Sequence, residues 1–204
     1  MFFSIMFAGD LSMIQYPGGK PYVPPVVKQD AAHRGMDLEH DLNVTNDYYL
    51  ATDKAVIYKK PTPVQVVKVD YEKRSKAKIV EAYYKVPSTI DYCGVYRGYH
   101  IDFEAKETRS RTAFPFAAIH EHQINYIDNV IRHGGISFVL MRFIHYNETY
   151  FVEGDKMVRA YRFRKRQSLP YEWFRENGIL IPFGLSPRID YLKIVDQIID
   201  KENQ

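Results

Sequence analysis

The chain has 204 residues and a mass of 24.0 kDa, which fits one domain of ordinary size. Its hydrophobic share of 46% and charged share of 26% are typical of a globular protein, and they exclude whole-chain disorder, collagen-like repeats and coiled coil. The single cysteine, Cys93, excludes a disulfide framework and a cysteine-based zinc site, and the formal net charge of +3 permits a polyanionic partner without requiring one.

The first 32 residues are predicted to form a flexible N-terminal arm. Residues 1–7 are an apolar run that is too short to span a membrane and lacks the basic start of a secretory signal, so we expect a cytoplasmic protein without a membrane partner. Residues 17–25 are rich in proline and glycine, which disfavours helix. Met13 is an alternative start to Met1.

Residues 33–204 are predicted to form one domain that starts with a helix. Leu38, Leu42, Thr45 and Tyr49 recur at helical spacing, which predicts a helix over residues 35–50. Residues 55–60 and 64–69 are rich in β-branched side chains and are bounded by prolines, which predicts two short strands. Residues 78–85 are compatible with either a strand or a helix.

Residues 91–106 predict a hairpin with a polar face. His100, Asp102, Glu104 and Lys106 alternate with apolar residues, as in a strand with one apolar and one polar side. Residues 97–98 form a plausible two-residue turn, in which glycine supplies the positive φ. This turn would pair residues 96 and 99 and place Asp91 opposite Glu104.

The rest of the chain predicts a helix, two paired strands and further short elements. A strand over residues 136–144 is expected to be covered on both faces because its apolar run is almost continuous. The other predicted elements are a helix that contains Ile124, Ile127 and Ile131 and stops at Gly134, a strand at residues 149–153, a helix over 155–166, a helix from a Ser168 cap to Glu176, a strand at 179–183 and a final helix marked by Ile189, Leu192, Val195 and Ile199. This order predicts a single mixed α/β domain.

The predicted pair of carboxylates, Asp91 and Glu104, indicates a divalent-cation site. Two carboxylates held together repel each other, and a cation such as Mg²⁺ removes that conflict. Lys106 lies on the same strand face as Glu104, where it could orient or deprotonate a water molecule or offset charge on a phosphate in the transition state. Gln123 could ligate the metal or position the water, and Thr89 is a further candidate ligand. Whether Mn²⁺ substitutes is open.

Basic residues concentrate in two segments. Residues 54–85 hold nine basic residues against three acidic ones, and residues 156–175 hold seven against one. Such clusters attract phosphates through counterion release. We therefore predict that Lys59, Lys60 and Arg74 contact DNA; Tyr83 and Tyr84 are candidates for stacking or dimer contacts, and the second segment is either a DNA surface or a solvated helix face.

The strings RGMDLEHDLN, VIYKKPTPVQVV, STIDYCGVY, IDFEAKET, HEHQINYI and PRIDYLKIVDQ closely resemble, in order, the RecU family of Holliday-junction resolvases. The similarity covers residues 13–199. The spacing from Asp91 to Glu104 and Lys106 is similar to the PD-(D/E)xK nuclease core, although Ile90 stands where that motif has proline.

The resemblance implies a restriction-endonuclease-like fold with a mixed central sheet flanked by helices and a projecting stalk at about residues 59–85. It implies a Mg²⁺-dependent homodimer that nicks two strands of a four-way DNA junction symmetrically in recombination and repair, leaving 5′-phosphates. Matching positions give Lys106 as the transition-state stabiliser and Glu39 as an additional acid. The matching metal-site residues are Thr89, Asp91, Glu104 and Gln123.

Two alternatives stay open at this stage. One is another PD-(D/E)xK endonuclease that acts on linear duplex. The other is a non-cleaving accessory protein that binds junctions, anneals strands, or contacts the recombinase and the branch-migration helicase. For His120 and His122, solvent or core partners are favoured over metal ligation, because residues two apart on a helix point to different sides.

Overall fold

A computed structural model describes the chain over residues 38–70, 77–84 and 90–202. The predicted N-terminal arm lies outside these ranges, so its boundary at residue 32 stays a prediction. No helix in the described ranges is long and apolar enough to cross a bilayer.

The helices are α1 (Leu38–Ala51), α2 (Glu121–Arg132), α3 (Gly154–Arg162), α4 (Tyr171–Asn177) and α5 (Leu192–Glu202). The strands are β1 (Val56–Lys59), β2 (Val64–Asp70), β3 (Lys78–Tyr84), β4 (Tyr92–Tyr96), β5 (Tyr99–Thr108), β6 (Ala113–Pro115), β7 (Ile136–Phe143), β8 (Glu148–Glu153), β9 (Ser168–Pro170) and β10 (Ile179–Ile181).

A mixed sheet forms the centre of the described part of the chain. Its 6 strands follow the order β1-β4-β5-β7-β8-β10. The β5–β7 pair is parallel, because α2 carries the chain back across the sheet, and the other pairs are antiparallel. The prediction of a mixed α/β fold with a central sheet flanked by helices is confirmed.

The helices cover the two faces of this sheet. Helices α1 and α5 pack on the face that carries Ile101 and Phe103 of β5, and α2, α3 and α4 pack on the other face. Strand β7 is buried at every position, which confirms the prediction from its continuous apolar run. Because β5 places Asp102 and Glu104 on the α2 side, both carboxylates are buried there.

Glycine allows β1 to lie close to β4. A Cβ atom at Gly94 would lie 2.1 Å from the carbonyl oxygen of Val56 and 2.6 Å from the Cα of Ile57. Strand β1 therefore pairs along β4 and ends with Lys59 opposite Tyr92. This places the end of β1 beside Asp91.

Two predicted elements near the second basic segment were wrong in their bounds. The helix predicted for residues 155–166 ends at Arg162, and Ser168 does not cap a helix but starts β9, which pairs with β6. Helix α4 begins only at Tyr171, because a residue before proline, here Leu169 before Pro170, disfavours the helical conformation. The ambiguous residues 78–84 form strand β3.

Strands β2 and β3 form a two-stranded ribbon within residues 59–85, the predicted stalk. Among the described residues they pair only with each other, and nearly every position is exposed. The exposed apolar side chains of the ribbon are Val64, Val66, Val67, Ile79, Val80, Tyr83 and Tyr84. The assignment of a stalk to these residues stays a prediction.

A buried ion pair fixes α1 on the sheet. Arg142 of β7 and Asp41 of α1 are both buried, and an Arg142 guanidinium nitrogen lies 2.6 Å from Oδ2 of Asp41. Arg142 also donates to Thr149 at 3.0 Å, and Arg188 reaches the second oxygen of Asp41 at 2.7 Å. Because both oxygens of Asp41 have a guanidinium partner, α1 has a defined position on the sheet.

We expect Arg142→Met to lower the free energy of unfolding by about 3 kcal/mol or more, because it leaves a buried carboxylate short of a partner. The double variant Arg142→Met/Asp41→Leu should recover part of this loss. Urea titration measures both. Asp155→Ala, which removes an exposed ion pair with Arg159, is the control and should cost less than about 1 kcal/mol. Equal losses for Arg142→Met and Asp155→Ala would contradict the role of the buried pair.

Candidate active site

The predicted hairpin turn brings Asp91 to Glu104. Arg97 and Gly98 both have positive φ, 51° and 84°, as a two-residue turn of type I′ requires. The pairs Tyr96–Tyr99 and Tyr92–Phe103 follow in the predicted register. Immediately beyond them, the backbone N–H of Asp91 donates to Oε2 of Glu104 at 3.1 Å.

Glu104 is the buried centre of the site. Its side chain has no exposed surface, and Oε1 accepts from the Lys106 ammonium at 2.7 Å and from the Gln123 amide nitrogen at 2.6 Å. Burial raises the pKa of Glu104, Lys106 lowers it and the nearby Asp91 carboxylate raises it, and together these effects bring the pKa to about 7. The site thus holds a carboxylate whose charge is compensated only in part by the chain itself.

A cavity of about 210 Å³ opens beside these residues. Asp91 and Lys106 line it from the sheet, and Lys106 is 22% exposed, so its ammonium reaches both Glu104 and the cavity. Glu39 lines the opposite side, from the first turn of α1, and its carboxylate lies 2.5 Å from Nζ of Lys59. The structure therefore brings together the predicted residues Glu39, Lys59, Asp91, Glu104 and Lys106.

Gln123 faces Glu104 through its nitrogen. It is the third residue of α2, and its Oε1 accepts the backbone N–H of His120 at 2.9 Å in a capping box. Its Nε2 donates to Glu104. In this arrangement Gln123 orients the carboxylate, and its role as a metal ligand stays a prediction.

The donor set fits a hard cation. Asp91 lines the open cavity, and the buried Glu104 carboxylate lies directly beside it, at the Asp91 backbone. Mg²⁺ is commonly held by one or two carboxylates together with waters and substrate phosphates. Within the described ranges, no group of three or more His, Cys, Asp or Glu residues is arranged to hold a metal.

Comparisons with known proteins identify the family of this chain. The family model described as RecU, Recombination protein U, matches residues 33–197. The chain is 49% identical over 187 residues to the Holliday junction resolvase RecU of Geobacillus kaustophilus, covering 90% of this chain and 94% of that protein. It is 48% identical over 191 residues to the Holliday junction resolvase RecU of Streptococcus pyogenes serotype M1, covering 91% of this chain and 96% of that protein.

This chain belongs to the RecU family. The match covers every described element from α1 to most of α5, so the resemblance found in the sequence is confirmed. Among the predicted site residues of this RecU-family chain, Thr89 and Arg74 lie outside the described residues. Their roles stay predictions.

Lys60 points away from the cavity, unlike Lys59. Its ammonium lies 2.9 Å from Oδ1 of the buried Asp102 and 4.9 Å from the ring centre of Tyr126. His100 and Tyr126 contact the other oxygen of Asp102 at 2.6 and 2.9 Å. The backbone N–H of Lys60 donates to the carbonyl of Asp91 at 2.7 Å. This cluster fixes the backbone of Asp91, while the predicted contact of Lys60 with DNA stays untested.

Sequence reasoning missed two features of the site. Glu107 lines the cavity and accepts the backbone N–H of Leu38 at 3.1 Å, which positions the start of α1 beside Glu39. Tyr126 follows Gln123 by one helical turn, a spacing that puts it on the same face of α2. The expectation that His120 and His122 point to different sides of a helix was wrong, since their rings stack with centres 5.4 Å apart. The reason is that His120 is the N-cap of α2 and not a helical residue.

The raised pKa of Glu104 predicts a pH-dependent stability of the metal-free protein. The folded state holds the Glu104 proton up to about pH 7, whereas the unfolded state releases it near 4.5. The free energy of unfolding should therefore fall by roughly 1–3 kcal/mol as the pH rises through this interval, and it should level off above it. Urea titrations in EDTA across this range measure the effect.

Glu104→Gln should remove this pH-dependent part and make the metal-free protein more stable than wild type at pH 8. Glu153→Gln, on the exposed end of β8, is the control and should keep the wild-type profile. Parallel pH profiles for wild type and Glu104→Gln would contradict the burial of a carboxylate at this position.

A second prediction concerns Lys60. Lys60→Met should lower the free energy of unfolding by about 1–3 kcal/mol, because it leaves Asp102 without its cation. The cycle of Lys60→Met, Asp102→Asn and the double variant should show coupling of about 1 kcal/mol or more. Lys59→Met, at a half-exposed ion pair, is the control. Unchanged stability of Lys60→Met together with weaker DNA binding would instead support a direct DNA contact.

Proposed function

We propose that this chain is a structure-selective endonuclease that resolves four-way DNA junctions in recombination and repair. The observation that carries the proposal, in a member of the RecU family, is that Asp91 and Lys106 line one cavity and both contact the buried Glu104. Relatives that cover nearly the whole chain are named Holliday junction resolvases. The lysine ammonium beside the carboxylates supports cleavage over binding alone, because it could stabilise charge on a reacting phosphate.

The proposed reaction is phosphodiester hydrolysis that leaves 5′-phosphate and 3′-hydroxyl ends. A Mg²⁺ ion held by Asp91 and Glu104, with Thr89 and Gln123 as further candidates, would activate water and reduce the charge on the phosphate; Mn²⁺ would fit the same oxygen ligands. Lys106 is placed to stabilise negative charge that develops on the phosphate, because its ammonium is partly exposed at the cavity.

Other residues orient this machinery. Gln123 holds the Glu104 carboxylate, and the Lys60–Asp102 cluster holds the Asp91 backbone. Glu39 and Lys59 line the cavity as an ion pair, where Lys59 is placed to contact the phosphate backbone and Glu39 to act as an additional acid. We also propose Arg74 as a DNA contact.

We infer a homodimer, because two symmetric nicks require two equivalent active sites. The exposed β2–β3 ribbon supports this inference, since an isolated two-stranded ribbon with apolar side chains on its surface is marginally stable alone. Contacts with a recombinase and a branch-migration helicase, and a cytoplasmic location, belong to the same proposal.

Cleavage of a labelled four-way junction, beside a linear duplex of the same sequence, tests the proposal. Wild type with Mg²⁺ should give paired symmetric nicks in the junction, which DNA ligase seals because their ends are 5′-phosphate and 3′-hydroxyl. EDTA, Asp91→Asn and Lys106→Met should each reduce cleavage by about 100-fold or more.

Asp200→Asn is the matched control, because it removes an exposed carboxylate of α5 that pairs with Arg97 at the turn of the β4–β5 hairpin, the end of the hairpin opposite Asp91. It should cleave like wild type. Equal cutting of the linear duplex would indicate a general endonuclease. Tight junction binding without any cutting would indicate a non-cleaving accessory protein.

A further inference from the structure

A second groove lies at the end of α3, apart from the proposed active site. It has a volume of about 340 Å³ and is lined on one side by the chain segment that leaves α3 and on the other by β9 and α4. Its lining includes Phe163, Arg164, Lys165, Arg166 and Trp173. The groove therefore combines three consecutive cations with aromatic side chains.

The cations of this groove lack acidic partners. Arg159 and Arg162 of α3 pair with Asp155 and Asp128. Within the part of the chain that the structure describes, Lys165 and Arg166 are exposed and form no ion pair with a carboxylate. Their positive charge is therefore available to an external anion.

The position of these cations is not explained by the helix. Basic side chains stabilise the C-terminus of a helix within its last turn, and Arg159 and Arg162 already occupy that turn of α3. Lys165 and Arg166 lie beyond the end of the helix at Arg162. A solvated basic helix face, the alternative for this segment, does not describe residues that are not helical.

Arg164 is held in place. Its guanidinium stacks 4.0 Å from the ring centre of Tyr161 and donates to the carbonyl of that residue at 2.6 Å. It also lies 5.8 Å from the ring centre of Phe116. Because the side chain is oriented before any ligand arrives, little conformational entropy is lost on binding.

Arg164 also links the groove to the active-site helix. It lines a neighbouring cavity of about 220 Å³ together with Arg162 and with Glu121, Ile124 and Asn125 of α2. The first turn of α2 carries Gln123, which contacts Glu104. The start of α2 therefore lies between the basic surface and the proposed site of cleavage.

We propose that Arg164, Lys165 and Arg166 bind the phosphate backbone of the duplex arm that flanks the cleaved strand. This inference rests on the proposed junction substrate. A row of three cations that form no ion pair with a carboxylate among the described residues fits the regular negative charge of a DNA backbone. Phe163, which is 78% exposed, extends the same surface for an apolar contact with the sugars. The surface positions the arm and does not take part in the chemical step.

The test is the salt dependence of junction binding by Lys165→Ala/Arg166→Ala, measured by fluorescence anisotropy in EDTA, so that it does not depend on cleavage. Affinity at about 100 mM salt should fall roughly 10-fold, and the slope of log K against log salt should decrease by about 2, near 0.9 for each lost phosphate contact.

Two matched variants serve as controls. Lys193→Ala/Lys201→Ala removes the same charge from α5 on the opposite face of the sheet and should keep the wild-type slope. Lys165→Arg/Arg166→Lys keeps the charge and should bind like wild type.

An unchanged salt slope in Lys165→Ala/Arg166→Ala would overturn the proposal. So would dissociation of that variant into smaller species in analytical ultracentrifugation, because the groove would then be an interface between copies of the chain. Retained junction binding with loss of binding to an acidic peptide would likewise overturn it, in favour of a protein partner. Failure of wild type to cleave junctions would instead be a failure of the proposed function, since the binding measurement is independent of cleavage.

Discussion

The burial of Glu104 is the constraint on which the site depends. A buried carboxylate needs hydrogen-bond donors, because no water reaches it. Glu104 receives them from the backbone of Asp91 just before β4, from Lys106 on its own strand β5 and from Gln123 of α2. The first contact spans 13 residues of sequence and the last spans 19. The hairpin turn brings Asp91 to Glu104, and the α2 capping box orients Gln123, so two local motifs position these donors around Glu104.

Much of this arrangement could be predicted from the sequence because it is local. The alternation along β5, the turn at Arg97 and Gly98, and the continuous apolar run of β7 each have a period or a turn residue that identifies them. The opposition of Asp91 and Glu104 then followed from counting residues across the turn. The resemblance to the RecU family added the expected fold and the roles that the local pattern does not carry.

The features that the sequence does not predict depend on contacts between segments far apart in the chain, which leave little trace in the sequence. Strands β6 and β9 have three residues each, which is too few to show the alternation of a strand. The sequence therefore predicts a helix cap at Ser168 where the structure has a strand. Lys59 and Lys60 are indistinguishable in the sequence, yet one lines the cavity and the other contacts Asp102, because neighbouring residues at a strand end point to opposite sides. The cluster of Asp41, Arg142 and Arg188 joins residues more than one hundred positions apart.

The β2–β3 ribbon has a thermodynamic consequence of its own. Within the described chain, its strands are covered by nothing except each other, and side chains such as Val67, Val80 and Tyr84 stay in water. The free energy that orders such a ribbon has to come from whatever covers it. By mass action, its order then increases with the concentration of that covering surface, so dilution and ligand addition act on the ribbon while the packed sheet is unaffected.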